Sequence, residues 1–233
     1  MTDTTAPYGT PEHPRVAVRG EARLEVDPEI AHLGITVTAR GKDRRTALED
    51  LTRRNEAVLE LIRSYGPAVE KLETGALSIN PELAEKGRDE KIRAYHGRVH
   101  ITAVLNDFTA LGELVTRVAA LDMTCVNGPW WALRPDSPAH ANARRQAVRE
   151  AVQRAREYAD ALGSHLTALV ELADLGAENA VSALPAPPAG LRGSAGYGAA
   201  AAPAPTPALD LEPRRQTVCA QVNARFIMSP PEL

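Results

Sequence analysis

The chain reads as an α+β protein, a mostly antiparallel β-sheet covered by about three helices. Three observations predict this class. Several stretches alternate apolar and polar residues with period two, the mark of half-buried strands. Others carry apolar residues at helical spacing. One of these, residues 137–163 (SPAHANARRQAVREAVQRAREYADALG), is long, rich in alanine and marked at both ends.

In that helix Ser137 can cap the start, and Pro138 fits the first helical position, where a missing N–H costs nothing. Gly163 supplies the stop, because glycine adopts the left-handed conformation without steric penalty. Ala143, Ala147, Val148, Ala151, Val152, Ala155, Tyr158, Ala159 and Leu162 recur on one face. Such a face has little bulk, so whatever packs on it can come close. The opposite face is charged, and Glu150 with Arg154 forms a favourable (i, i+4) pair.

Taken in order, residues 1–14 are polar with three prolines and read as a flexible arm. Val16, Val18, Gly20, Ala22, Leu24 and Val26 then alternate with charged residues as a strand. Asp27-Pro28 marks a turn, since proline cannot serve a central ladder. A second alternating run follows with Leu33, Ile35, Val37 and Ala39 on one face. Two such runs with a short link predict an antiparallel hairpin. Asp43 can cap a helix to about Tyr65, with Leu48, Leu51, Val58, Leu61, Ile62 and Tyr65 on its apolar face. A strand near 69–80, a polar excursion and a return strand over 93–105 come next. Asn106-Asp107 caps a helix bearing Leu111, Leu114, Val115, Val118 and Leu121, and MTCVNGPWWAL reads as strand-like.

After Gly163, LTALVELADL reads as a strand. Residues 185–213 hold seven of the 18 prolines and four of the 16 glycines, a composition that cannot offset its ordering entropy. They read as a flexible insert between two strands of one sheet. TVCAQVNARFIM then alternates cleanly as a last strand, and 229–233 form a tail. The organisation expected is one domain over 15–228 carrying that insert.

The totals exclude several classes. A net charge of −3 and a pI near 6.1 argue against a general nucleic-acid binder. Cys125 and Cys219 lie far apart with no C-x-x-C, so neither a disulfide framework nor a zinc site is signalled, and both read as reduced, partly buried small hydrophobes. No stretch reaches the roughly 18 apolar residues of a membrane span. The N-terminus shows no secretory pattern, which places the chain in the cytoplasm as an expectation.

Chemistry-bearing motifs are scarce, and no catalytic residue, metal ligand or cofactor is assigned. The six histidines (His13, His32, His96, His100, His140, His165) form no H-E-x-x-H-like pair. His96 and His100 share a strand face, where a solvent-facing polar role is the better reading than metal binding. Ser194 lacks the glycine two residues earlier that a nucleophile elbow needs, because Arg192 stands there. Gly190, Gly193, Gly196 and Gly198 open no helix and precede no Gly-Lys-Ser/Thr, so they read as flexible filler. Arg40, Lys42, Arg44, Arg45, Arg53 and Arg54 are interleaved with Asp43, Glu49, Asp50 and Glu56, the pattern of a solvated helix face. Trp130-Trp131 is the notable pair. In a strand the two rings point to opposite faces, so only one enters a given core. With aromatics at 4%, the other is a candidate interface anchor, or is buried within the subunit by a helix or the insert.

Four strings in order resemble the SIMPL domain family of bacterial periplasmic immunogenic proteins. They are VRGEARLEVDPEIAHLGITV, the helix with Ala47, Asn55 and Val58 followed by Thr74, Leu77 and Pro81, LNDFTALGELVTRVAALDM, and ARRQAVREAVQRAREYADALG. The resemblance covers about 15–228. It departs where Asp27 precedes Pro28 instead of following it, in the length of the insert, and in showing no signal-peptide pattern of the kind most bacterial relatives carry. It implies a fold and a tendency to oligomerise, with stress- or envelope-related roles, and brings no catalytic residues. The leading expectation is a non-enzymatic homo-oligomeric assembly or interaction scaffold. The alternative is a small-molecule-binding or enzymatic domain with a pocket between sheet and helices. A signalling adaptor, by analogy with an animal relative, is a third.

Overall fold

The computed structural model of the chain describes residues 9–83, 92–174 and 209–232. Among the described residues the strands and α-helices run β1 (Arg15–Val26), β2 (Ile30–Gly41), α1 (Arg44–Arg63), β3 (Val69–Leu83), β4 (Ile92–Leu105), α2 (Phe108–Ala119), β5 (Thr124–Ala132), α3 (Pro138–Ala161), β6 (Leu166–Asp174) and β7 (Gln216–Met228). The fold is α+β with three helices, as the patterns predict.

The strands form two sheets instead of one, with orders β1-β7-β6 and β3-β4-β2-β5. The expected hairpin of β1 with β2 is not made. β2 pairs antiparallel with both β4 and β5, and β1 lies beside β7. The reason is that period-two alternation fixes which face of a strand is buried and leaves its partner open. β2 also carries the mark of a central strand, for Gly34 and Thr36 are buried along with Leu33, Ile35 and Val37. β6 and β7 pair antiparallel, so the segment between them joins neighbours in one sheet.

The chain divides into two units. One holds β1, α3, β6 and β7 from Thr217 on; the other holds β2 to β5, α1, α2 and 209–216.

In the first unit, Ser137 caps α3 by accepting the Ala139 N–H at 3.3 Å. Gly163 closes the turn with φ +63°. The buried stripe is almost pure alanine: Ala139, Ala143, Ala147, Ala151, Ala155 and Ala159, one every four residues. Val148 and Val152 flank it, while Tyr158 and Leu162, expected on this face, are exposed. The low bulk has the consequence anticipated. β1 approaches so closely that a Cβ on Gly20 would stand 2.0 Å from the Ala147 carbonyl oxygen. Glu150 reaches over β1 and accepts the Glu21 backbone N–H at 3.0 Å. Val18, Ala22, Val222, Ala224 and Phe226 complete this core.

The second unit has the larger side chains. Leu33, Ile35 and Val37 of β2 meet Val99, Ile101 and Leu105 of β4, with Leu51, Val58 and Ile62 of α1 and Leu111, Leu114 and Val118 of α2 above them. Leu48, placed on the apolar face by its spacing, is exposed, and Ala47 takes the buried position. Asp43 caps α1, accepting from the Thr46 backbone N–H at 2.8 Å and the Thr46 hydroxyl at 3.1 Å. Those bonds hold its carboxyl below the ordinary range. Asp43→Ala is expected to lower the midpoint of a urea titration, and Asp43→Ser to restore most of the loss. Asp107 caps α2 likewise, accepting the Thr109 and Ala110 N–H groups at 2.9 and 3.1 Å.

Of the expected insert, 209–213 are described and rest on α2, while Ser194 and the glycines at 190, 193, 196 and 198 lie outside the described residues.

Candidate functional site

The core side chains of β2 point toward α1 and α2. The same strand presents His32, Gly34, Thr36, Thr38 and Arg40 on its other face. Register brings His100 of β4 opposite Thr36, and Trp130 of β5 opposite His32. Asn127 and Cys125 of β5 stand opposite Gly34 and Thr36.

Trp130 is the largest apolar group on this surface, with 55% of it exposed. Its six-membered ring lies across Gly34, where a Cβ would come within 3.3 Å of Trp130 Cζ3 and Cη2 and 3.2 Å of His100 Cε1. A glycine within a strand often marks such a close approach. The His100 Nδ1 atom sits 3.4 Å from the hydroxyl of buried Thr36.

Trp131 faces the other way. It packs against the core and meets Phe108 edge-on, with centroids 4.8 Å apart and planes at 77°. A register shift decides between the two rings. Opposite the single residue Leu33 of β2, β5 carries two, Gly128 and Pro129. That bulge puts Asn127 and Trp130 on one face although they are three apart, and turns Trp131 inward.

Farther along this face, Glu82 of β3 accepts from Arg40 Nε at 2.9 Å and from His96 Nε2 at 2.7 Å. Arg93 stands 3.8 Å away. The bonds from Arg40 and then His96 hold the Glu82 carboxyl below its ordinary value. A carboxyl with a depressed pKa stabilises the fold above the unfolded-state value and loses that effect as pH falls through the folded one. Glu82→Gln is therefore expected to lower Tm at pH 7 and to have no effect once the pH is well below 4.5, by paired thermal melts.

The other candidates are dispersed. Of the basic run, Arg40 pairs with Glu82, Arg45 with Glu49 at 3.8 Å, and Arg53 and Arg54 with Asp50, while Arg44 lies over the Tyr95 ring at 5.8 Å. Cys125 and Cys219 are free thiols on strands of different sheets, and both are exposed where partial burial was expected. The expectation of partial burial rested on residue type, whereas each cysteine stands on the outward side of its strand. Among the described residues no group of three His, Cys, Asp or Glu side chains is gathered as for a metal, and no helix is long and apolar enough to cross a membrane.

A hollow of about 430 Å³ is lined by Val152, Arg156, Asp160, His165 and Phe226 among others. Beside it Ser229 Oγ lies 3.1 Å from His165 Nδ1. That hydroxyl also accepts the His165 backbone N–H at 3.1 Å, and Ser164 donates to the Ser229 carbonyl at 2.6 Å. The contacts fasten the end of β7 to the turn after α3.

The geometry defines an α+β protein whose most distinctive surface is a sheet face bearing one exposed indole. Its family is shown directly: the model described as SIMPL, a protein of unknown function (DUF541), matches residues 16–226, and the chain belongs to that family. The chain is 28% identical over 176 residues to the 26 kDa periplasmic immunogenic protein of Brucella melitensis, covering 71% of this chain and 68% of that protein. The protein of the same name from Brucella abortus matches at the same identity and coverage. A crystal structure from Burkholderia cenocepacia, described as a candidate amidohydrolase/peptidase, overlaps 57% of this chain and 33% of its own with TM-score 0.28 and 16% identity, a likeness that carries no argument. The two Brucella relatives are named as periplasmic, which overturns the cytoplasmic expectation. That expectation rested on the residues at the start of the chain, which carry no information about a compartment once homologues are known.

Proposed function

We propose that this SIMPL protein is a non-enzymatic subunit of the cell envelope that assembles with copies of itself through the sheet face around Trp130. The observation that carries the reading is the exposed indole lying across Gly34. An exposed tryptophan offers a large, rigid contact area at low entropic cost, and such residues dominate association energies when desolvated. His32 and Asn127 flank it and supply a polar rim of the kind interfaces use. The names of the Brucella relatives support an envelope setting.

The pocket alternative has less behind it. At the 430 Å³ hollow the Thr167 hydroxyl donates to the Ile227 carbonyl and the His165 ring meets Ser229, contacts that hold strand ends together.

Fluorescence tests the proposal without perturbing Trp130. In a Trp131→Phe background the only indole left is Trp130. Acrylamide quenching is expected to fall as protein concentration rises, because assembly covers the ring. Quenching that stays high and constant from nanomolar to high micromolar concentration would overturn the proposal.

A further inference from the structure

α2 holds a second feature that the assembly reading does not use. Gly112 sits in the middle of the helix and is buried, a position where glycine is a poor helix former and alanine would serve better. The reason for it is a crossing segment. A Cβ on Gly112 would stand 2.4 Å from the carbonyl oxygen of Leu209.

One turn along, Thr116 clamps the same residue. Its hydroxyl donates to the Gly112 carbonyl at 2.9 Å and accepts the Leu209 backbone N–H at 3.0 Å. The Leu209 side chain itself is 54% exposed, so recognition there is of backbone alone. Two residues later Leu211 supplies a side-chain anchor, packing against the core of the second unit. Residues 209–215 belong to no helix or strand. Beyond the anchor, they are held by an exposed ion pair of Arg215 with Asp27 at 3.1 Å and by the Gln216 side-chain amide, which donates to the Arg214 carbonyl at 2.8 Å.

A backbone clamp followed two residues on by a buried side chain is how grooves read extended peptides. We propose that the Gly112–Thr116 notch of α2 is a recognition groove for an extended leucine-bearing segment, occupied in cis by Leu209–Leu211 and open to exchange. The clamp is a single hydrogen bond, the anchor is half-buried and the ion pair is solvated, so this strap opens locally while the elements beneath it stay folded. When it opens, the groove accepts the same sequence supplied in trans. The inference is independent of the Trp130 face.

The test uses the full chain and a fluorescein-labelled octapeptide, LDLEPRRQ, which copies residues 209–216. Leu209→Pro removes the clamped N–H, and Leu211→Ala removes the anchor. The doubly substituted chain is expected to bind the peptide, measured by anisotropy, and the wild type to bind it at least roughly tenfold more weakly because its own strap competes. Adding Gly112→Val to the doubly substituted chain is expected to abolish binding. A doubly substituted chain with unchanged circular dichroism that fails to bind would overturn the proposal, and so would binding that survives Gly112→Val. Hydrogen exchange on the wild type covers the case in which the variant does not fold. The Leu209 amide is expected to exchange by an opening insensitive to low denaturant, and exchange only through global unfolding would overturn the proposal.

Discussion

Gly20→Val is expected to be among the most damaging single substitutions in the first unit, costing about 3 kcal/mol or more. The reason lies in the distance between β1 and α3. The alanine stripe of α3 lets the two backbones approach until a Cβ at position 20 would lie 2.0 Å from the Ala147 oxygen and 2.6 Å from the Ala151 nitrogen. Both are main-chain atoms, so no side chain can rotate away, and the whole helix must lift. Lifting it would open the contacts of Ala147, Ala151 and Ala155 with β1 and strain the bond from Glu150 to the Glu21 N–H. For a chain of this size the loss corresponds to a fall in Tm of roughly 6–12 °C. A melt in which Gly20→Val moves Tm by less than about 2 °C would show that helix and strand are not packed so closely.

The second large effect separates the paired tryptophans. Trp131→Ala is expected to cost about 2–4 kcal/mol of stability, since it removes a half-buried ring and its edge-on contact with Phe108. Trp130→Ala is expected to change stability by only about 0.5 kcal/mol or less, because the ring is largely exposed. Its effect falls on association instead, where losing a central aromatic anchor is worth about 2 kcal/mol, roughly 30-fold in Kd. Urea titration and concentration-dependent sedimentation, run on both variants, measure the two effects separately.

Much of this fold is legible in the sequence, and the illegible parts have a common cause. Caps are local chemistry, so Asp43, Asp107 and Ser137 stand where the side chains place them. The alternation in β1 and β7 survives as buried Val18, Ala22, Val222, Ala224 and Phe226. Partnership between strands is not local. Nothing in the run 15–41 says that β1 and β2 belong to different sheets, because either pairing buries the same residues.

The candidate site shows the same division. That one tryptophan faces inward and one outward follows from strand geometry alone. Which one faces inward depends on the bulge at Gly128-Pro129, and that becomes visible only when β5 is laid against β2. Gly34, in the middle of a β2 run otherwise rich in buried apolar and β-branched residues (Leu33, Ile35, Thr36, Val37), was the available hint that something lies close above it. Gly112 gave the same hint for the strap on α2, but its partner is nearly a hundred residues away in sequence. The exposure of Leu48 and Tyr158 has a simpler origin. Each lies at the margin of an apolar stripe, where helical periodicity alone does not separate the buried edge from the wet one.

Solution mass by light scattering after size exclusion, on the wild type beside Trp130→Ala and Trp131→Ala, tests the central claim most directly. A discrete oligomer is expected for the wild type, which Trp130→Ala dissociates toward the 25.0 kDa monomer while its folded signal is kept. Trp131→Ala is expected to lower stability without selectively dissociating folded subunits. A wild type that stays monomeric at high micromolar concentration, or an oligomer indifferent to Trp130→Ala, would contradict that claim.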